Sequence, residues 1–288
     1  MNKRGIVKVL LVLLLFGGAL ALTMYPFIAN YLFENKTDSV VNSIEQSAQD
    51  IDDSEQKAAI EAAKKYNQTI ANGHVQLKDP FDDEQLEQDA GEYNSLLNLT
   101  DDGVMGTIEI PSINVSLPIY HGTSDSVLEK GVGHLQGTSL PVGGESTHTV
   151  LTGHTGLSNA KLFTDLTEVE EGDIFFLNVM GEKLAYKVDQ IKVVLPSELN
   201  SLKVVPGEDY CTLVTCTPYG VNSHRLLVRG VRTDYKEAVE SPETFESREV
   251  KSKWMDEYKK ALLISIGCFC GGLIILFAVR RFLNSRSR

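Results

Sequence analysis

The sequence predicts a mainly β domain, an antiparallel barrel or sandwich, led in by helices and held between two apolar segments long enough to cross a membrane. Three observations carry this. Beyond residue 103 apolar and polar residues alternate in short runs separated by turn residues, with no strand–helix–strand rhythm. Residues 35–100 are instead polar and rich in helix formers. Each end carries an uncharged run, residues 9–28 and 261–279, and a helix of about 20 residues spans the roughly 30 Å of a bilayer's hydrocarbon.

The first run follows Lys3, Arg4 and Lys8 and precedes Glu34 and Asp38; the second precedes Arg280, Arg281, Arg286 and Arg288. The positive-inside rule then puts both termini in the cytoplasm and the chain between them outside, although Lys251, Lys253, Lys259 and Lys260 flank the second run on its outer side. Ala19-Leu20-Ala21 is a small-residue site of the kind cleaved in signal peptides, but the apolar run continues past it, which favours an uncleaved span. The expected organisation is a cytoplasmic N-terminus (1–8), a transmembrane helix (9–29), a helical region (30–102), a β domain (103–235), a tether (236–260), a second transmembrane helix (261–279) and a basic tail (280–288).

The ends hold seven of the 27 basic residues and none of the 39 acidic ones, so residues 30–260 keep 20 basic against 39 acidic, a net charge of −19. Such a domain stands off an anionic membrane surface and excludes nucleic acid as partner. Four cysteines in 288 residues are too few for a disulfide scaffold.

Within 30–102, Ser54 is the expected N-cap of a helix that stops at Asn72-Gly73. Residues 77–91 are an acidic, proline-containing loop, Lys78-Asp79-Pro80-Phe81-Asp82-Asp83-Glu84, whose composition reads as a solvated linker. The expected strands are 105–110, 114–120, 148–152, 173–179, 184–195, 210–216 and 224–231, with one short helix at 161–166.

Cys268 and Cys270 lie in the second apolar run, where cysteine behaves as a small hydrophobe. Cys211 and Cys216 share one strand, five residues apart. Their odd separation sends them to opposite faces, and about 16 Å of extended chain forbids a disulfide. Cys211, at the strand start, is expected in the core. Cys216 closes the strand and opens the turn Thr217-Pro218-Tyr219-Gly220, an accessible place for a nucleophile. A cysteine nucleophile needs an acid for its leaving group and a donor for the oxyanion. His154, in Thr152-Gly153-His154-Thr155-Gly156, has the setting for the first. Arg225, nine residues beyond Cys216 across a hairpin, has the position for the second, while its strand neighbour His224 points away. His74, His121, His134 and His148 read as surface histidines, and Arg225 is open to the plainer reading of a surface ion pair.

Thr212-Leu213-Val214-Thr215-Cys216, Thr152-Gly153-His154 and Arg225 within Ser223-His224-Arg225-Leu226-Leu227-Val228-Arg229-Gly230 together resemble the sortases, over about residues 103–235. Ile108-Glu109-Ile110-Pro111 and Leu117-Pro118-Ile119-Tyr120 are similar to that family's opening strands. The continuation Thr217-Pro218-Tyr219-Gly220-Val221-Asn222-Ser223-His224-Arg225 and the second span resemble class C, the pilin-polymerising branch in Gram-positive bacteria. The resemblance implies a closed sortase-type β-barrel and a cysteine transpeptidase. It implies Cys216 as nucleophile, His154 as general acid and Arg225 as donor to the carbonyl oxygen, with no metal or cofactor. It further implies cleavage of a Leu-Pro-x-Thr-Gly-type sorting signal between Thr and Gly, through a thioester that a pilin lysine amine resolves. Asp79, Pro80 and Phe81 match the class C lid, which replaces the linker reading of 77–91. Three alternatives remain at this point: a housekeeping-type enzyme anchoring surface proteins to the cell wall with the same triad, a cysteine hydrolase on the same barrel, and a non-catalytic anchored binding domain.

Overall fold

A computed structural model describes residues 3–73, 77–82, 90–99, 103–240 and 252–286. His74, residues 83–89 of the expected lid loop and residues 241–251 of the expected tether lie outside them.

Helix α1 (Lys3–Asp50) runs unbroken across the boundary expected near residue 29, with Pro26 inside it. Its apolar first half is exposed, as at Leu10, Leu14 and Leu22, whereas Val41, Ile44 and Ala48 of its polar second half are buried, with Ile44 against Val104 and Tyr120 of the barrel. One helix therefore changes its apolar pattern along its length but not its backbone. Helix α2 (Asp53–Asn72) is capped by Asp52, whose carboxylate accepts from Ser54 N at 2.8 Å; the expected cap Ser54 sits in the first turn instead. A carboxylate there also meets the positive end of the helix dipole. Ile60, Ala63 and Asn67, spaced to one face, are buried, and Asn67 bonds both the N–H and the carbonyl of Leu140. Helix α3 (Ala90–Ser95) leads into the barrel.

The strands are β1 (Val104–Ile110), β2 (Val115–His121), β3 (Val132–His134), β4 (Thr147–Thr152), β5 (Ile174–Val179), β6 (Glu182–Val194), β7 (Asp209–Thr217) and β8 (His224–Thr233). They close a barrel in the order β1-β2-β3-β4-β7-β8-β6-β5. Two pairings differ from the antiparallel expectation: β2 with β3, and β4 with β7, are parallel. Each needs a crossover, which α4 (Asp125–Leu128) supplies for the first and the β5–β6 hairpin for the second. Strand β3, with three residues, was not expected because it is too short to show an alternation. The short helix expected at 161–166 is a 3-10 turn at Thr164–Glu168.

Alternation along β7 divides two apolar clusters. Cys211 and Leu213 face the barrel interior with Leu151, Phe163, Phe175, Tyr186 and Val228. Val214 faces outward with Val150, Leu135, Leu202 and Leu227, and Leu77 and Phe81 pack over this outer cluster.

After α5 (Tyr235–Glu240), α6 (Lys253–Arg286) begins inside the segment expected to be tether. Helices α1 and α6 contain stretches, within Leu10–Asp50 and at Tyr258–Ile275, long and apolar enough to cross a membrane. They touch where Phe16 stacks on Phe269 at 3.5 Å and Phe27 meets Tyr258 edge-on at 5.5 Å. The chain between β4 and β5 is tied to both. Asn30 of α1 accepts from Lys161 N at 2.8 Å, and Ser252, ahead of α6, donates to the buried Asp165 at 2.9 Å. Lys161 pairs with Asp165 at 2.9 Å and donates to Ile113 O at 2.8 Å.

Candidate active site

Three strand ends meet at one rim of the barrel. In the antiparallel β7–β8 pair Cys216 lies opposite Arg225, and Thr217 opposite His224. In the parallel β4–β7 pair Thr152 lies opposite Val214. The pairing continues past β4: Gly153 N donates to Val214 O at 3.0 Å, and Thr215 Oγ1 donates to Gly153 O at 2.7 Å. His154 is two residues beyond Thr152, as Cys216 is two beyond Val214, so the pairing carries both to the same level of this rim. The turn is held from behind by Phe163, whose N–H donates to His154 O at 3.0 Å. Its ring leaves no room at residue 153, where a Cβ would lie 2.7 Å away; only glycine fits.

Residues 77–82 lie across this rim. Asp79 accepts two hydrogen bonds from Arg225, from Nε at 2.8 Å and Nη2 at 2.5 Å, the two-point geometry a guanidinium forms with a carboxylate. Arg225 Nη1 donates to Asn222 O and His224 O, each at 3.1 Å. After Pro80 the chain turns, with Asp82 N donating to Asp79 O at 3.0 Å. This sets the Phe81 ring 5.6 Å from the His154 ring and 4.9 Å from the Arg225 guanidinium carbon. One aromatic ring thus spans the imidazole and the guanidinium, and Cys216 is left 9% exposed.

Burial pushes the Cys216 thiol above its ordinary pKa; Arg225 pulls it down and Asp79 adds to the rise. Burial lowers the His154 pKa, against the opposing pull of Asp125 and Glu129. Thiol and imidazole are therefore both neutral near pH 7 with the segment in place. Burial opposes the Arg225 charge, but the Asp79 hydrogen bonds and the nearby Cys216 and Asp79 charges outweigh it and raise its pKa. The rim can thus supply a nucleophile, a proton donor and a fixed positive charge.

Cys211 is wholly buried in the interior, its thiol pushed far up by burial and by Asp209. Cys268 and Cys270 are exposed on α6. His134 and His148, expected at the surface, are buried. His134 Nε2 donates to Ser139 O at 2.8 Å, and Nδ1 lies 2.9 Å from the Tyr93 hydroxyl. His148 bonds Lys203 O at 2.8 Å and Thr212 Oγ1 at 2.7 Å. Hydrogen-bond partners supplied by distant segments admit these polar rings to the interior, and no local pattern announces them. His121 is half-buried between Gly103 O and Leu96 O, while His224 bonds Ser223 beside the rim. Two neighbours of the rim escaped the sequence reading. Leu77 packs over the outer cluster, and Tyr219 lies against Gly156, where a Cβ would meet its ring at 3.2 Å. Leu77, two residues ahead of Asp79 in the polar loop, was the available signal for the first.

A sortase-domain profile matches residues 108–233. Sortase D of Bacillus subtilis is 32% identical over 44% of this chain and 63% of its own length, and sortase A of Streptococcus agalactiae 30% identical over 40% and 47%. The chain therefore spans less than two thirds of the length of these curated relatives. Solved structures match more fully. Sortase C of Streptococcus pneumoniae is 43% identical, with a TM-score of 0.63, over 68% of this chain and 97% of that one. Sortase C1 of Streptococcus agalactiae in complex with MTSET is 48% identical with a TM-score of 0.61, and sortase C-1 of Actinomyces oris 50% identical with 0.58; each is covered over 98% of its length, against 68% and 63% of this chain. With a matching domain profile over the barrel and near-complete coverage of several C-type structures at this identity, the chain belongs to the sortase family.

Proposed function

We propose that the protein is a class C, pilin-polymerising cysteine transpeptidase, anchored by α1 and α6 with its barrel outside the cell and both termini in the cytoplasm. The observation that carries this reading is the meeting of Cys216, His154 and Arg225 at one rim, with Asp79 and Phe81 laid over them. Cys216 is the nucleophile, His154 the general acid and base, Arg225 the oxyanion donor, and Asp79-Pro80-Phe81 the lid.

The closed state is a resting state. Arg225 spends its forked donors on Asp79, and the thiol keeps its proton. Lid departure frees the guanidinium and removes the carboxylate that raises the thiol pKa, so the same movement that admits substrate favours the thiolate. With the lid gone the Cys216 thiol passes its proton to His154, and the resulting thiolate attacks the Thr carbonyl of a Leu-Pro-x-Thr-Gly-type signal, the oxyanion forming against Arg225. As the C–N bond breaks, the His154 imidazolium gives its proton to the departing Gly amine, leaving a thioester on Cys216. A pilin lysine amine then attacks the thioester, gives a proton to His154, and leaves as an isopeptide while the sulfur departs.

Wall anchoring would use the same triad with another amine. The lid segment bonded to Arg225 and the C-type structural neighbours favour pilin polymerisation. The full chain in detergent, given a sorting-signal peptide with and without a lysine-bearing pilin, should yield an isopeptide with the acceptor and slow hydrolysis without it. Hydrolysis unchanged by acceptor points to a hydrolase, and no cleavage at all points to a binding domain.

A further inference from the structure

Threonines crowd β4, β7 and the adjoining loop, and nearly every buried hydroxyl there has a partner. Thr147 donates to Gly144 O at 2.7 Å, Thr149 to Leu140 O at 3.3 Å, Thr138 to Leu135 O at 2.7 Å and Thr215 to Gly153 O at 2.7 Å, and Thr212 bonds His148. Thr152 is the exception. It is 0% exposed, and among the described residues its Oγ1 has no hydrogen-bond partner. A buried hydroxyl left unpaired costs stability, and valine, of the same shape, would avoid that cost.

Its position says what the hydroxyl is for. On β4 the outward positions are His148, Val150 and Thr152, because Leu151 belongs to the interior cluster and Val150 to the outer one. Thr152 therefore sits on the outer face, opposite Val214 and two residues short of the level of Cys216, roughly 7 Å down the strand. It lies between Val150, in the cluster that Leu77 and Phe81 cover, and His154, whose ring faces Phe81. The orphan hydroxyl is thus in the floor of the groove that residues 77–82 cover, and these described lid residues give it nothing to bond.

We infer that Thr152 Oγ1 binds the main chain of the extended peptide that replaces the lid, donating to a backbone carbonyl one or two residues upstream of the scissile bond. This rests on the transpeptidase reading above. The distance suits it, since roughly 7 Å is two residues of extended chain. So does the direction, because the outer apolar cluster continues beyond Thr152, where the Leu and Pro side chains of the signal would lie. A hydroxyl reading main chain accepts any residue at the variable position of the signal. Lid closure then leaves Thr152 unsatisfied, and substrate binding relieves it.

The test uses the full chain in detergent carrying Asp79→Ala to release the lid, with a synthetic Leu-Pro-Glu-Thr-Gly-Gly peptide. Thr152→Val should lower kcat/KM about five- to tenfold, the weight of one hydrogen bond, chiefly through KM. Iodoacetamide should alkylate Cys216 at an unchanged rate, and Tm should hold or rise. Thr152→Ser should stay within about twofold of its parent in kcat/KM. Thr152→Val with unchanged kcat/KM, a loss that serine does not restore, or a parallel fall in alkylation would each overturn the inference. If the Asp79→Ala parent forms no acyl adduct on Cys216, the transpeptidase reading itself fails and takes this one with it. Activity in the parent with no effect at Thr152 removes only this one.

Discussion

Asp79 and Arg225, 146 residues apart in the chain, form a two-point ion pair in which the carboxylate accepts from Nε and Nη2 along one edge of the guanidinium, at 2.8 and 2.5 Å. Arg225 lies opposite Cys216 in the β7–β8 pair, so in the proposed mechanism one contact would both close the groove and engage the oxyanion donor.

Asp79→Ala should therefore speed alkylation of Cys216 by a small thiol reagent. A hydrogen bond to a charged group contributes about 1.5–3 kcal/mol, so the gain should be roughly tenfold or more. Phe81→Ala, which removes the ring over His154 and Arg225 but leaves the ion pair, should give a smaller gain. Unchanged rates in both variants would show that residues 79–81 do not gate the sulfur.

The pH profile of that alkylation should move as well. Burial and Asp79 raise the Cys216 pKa while Arg225 lowers it. The closed enzyme should titrate above an ordinary cysteine, and Asp79→Ala should shift the midpoint towards lower pH. A shift the other way would mean that Asp79 does not raise the thiol pKa.

Cys216→Ala, His154→Ala and Arg225→Ala should each abolish transpeptidation while the protein stays folded by circular dichroism. Arg225→Lys should recover little, because an ammonium cannot reproduce the fork. Cys211→Ala is the control: its sulfur lies in the interior, so it should cost about 1 kcal/mol of stability and keep the activity. An inactive but folded Cys211→Ala together with an active Cys216→Ala would exchange the roles of the two thiols.

His134 and His148 should make the fold acid-sensitive. Burial lowers each to a pKa of about 4 from 6.5. Above pH 6.5 neither state is protonated there and nothing is lost. As pH falls from 6.5 to 4 the unfolded chain takes up protons that the folded one refuses, at up to about 3 kcal/mol per histidine. Urea midpoints measured across that window should fall with pH. A flat profile would mean that the two rings are open to solvent.

Asp165, 2% exposed and paired with Lys161 and Ser252, anchors the β4–β5 connection whose Phe163 holds His154. Asp165→Ala leaves the Lys161 ammonium without its counter-charge, holding only the Ile113 carbonyl, and should cost about 3 kcal/mol, read by urea unfolding. Asp165→Leu combined with Lys161→Met should recover much of it. A single-variant loss below about 1 kcal/mol would show the pair to be dispensable.

Much of the rim was legible in the sequence because the residues proposed to carry chemistry sit where alternating strands end. Cys216 and Arg225 follow from a strand, a turn and a strand whose parity can be counted, and the opposite facing of Cys211 from the same count. Parallel pairing was not legible, since a crossover leaves no turn signature of the kind a hairpin does. The burial of His134 and His148 depended on carbonyls and hydroxyls brought from far along the chain. Asp79 read as linker by composition alone; only the resemblance to the class C lid singled it out, and its pairing with Arg225 agrees with that. The unbroken α1 escaped because a change of apolar pattern was taken for a change of structure.

The most direct measurement is intact-mass spectrometry of the full chain, with the lid released by Asp79→Ala, mixed with a Leu-Pro-Glu-Thr-Gly-Gly peptide. A hydroxylamine-sensitive mass increase equal to the peptide without its glycines, mapped to Cys216 and lost in Cys216→Ala, is the expected result. Peptide cleavage with no adduct on Cys216, or an adduct that survives its replacement, would contradict it.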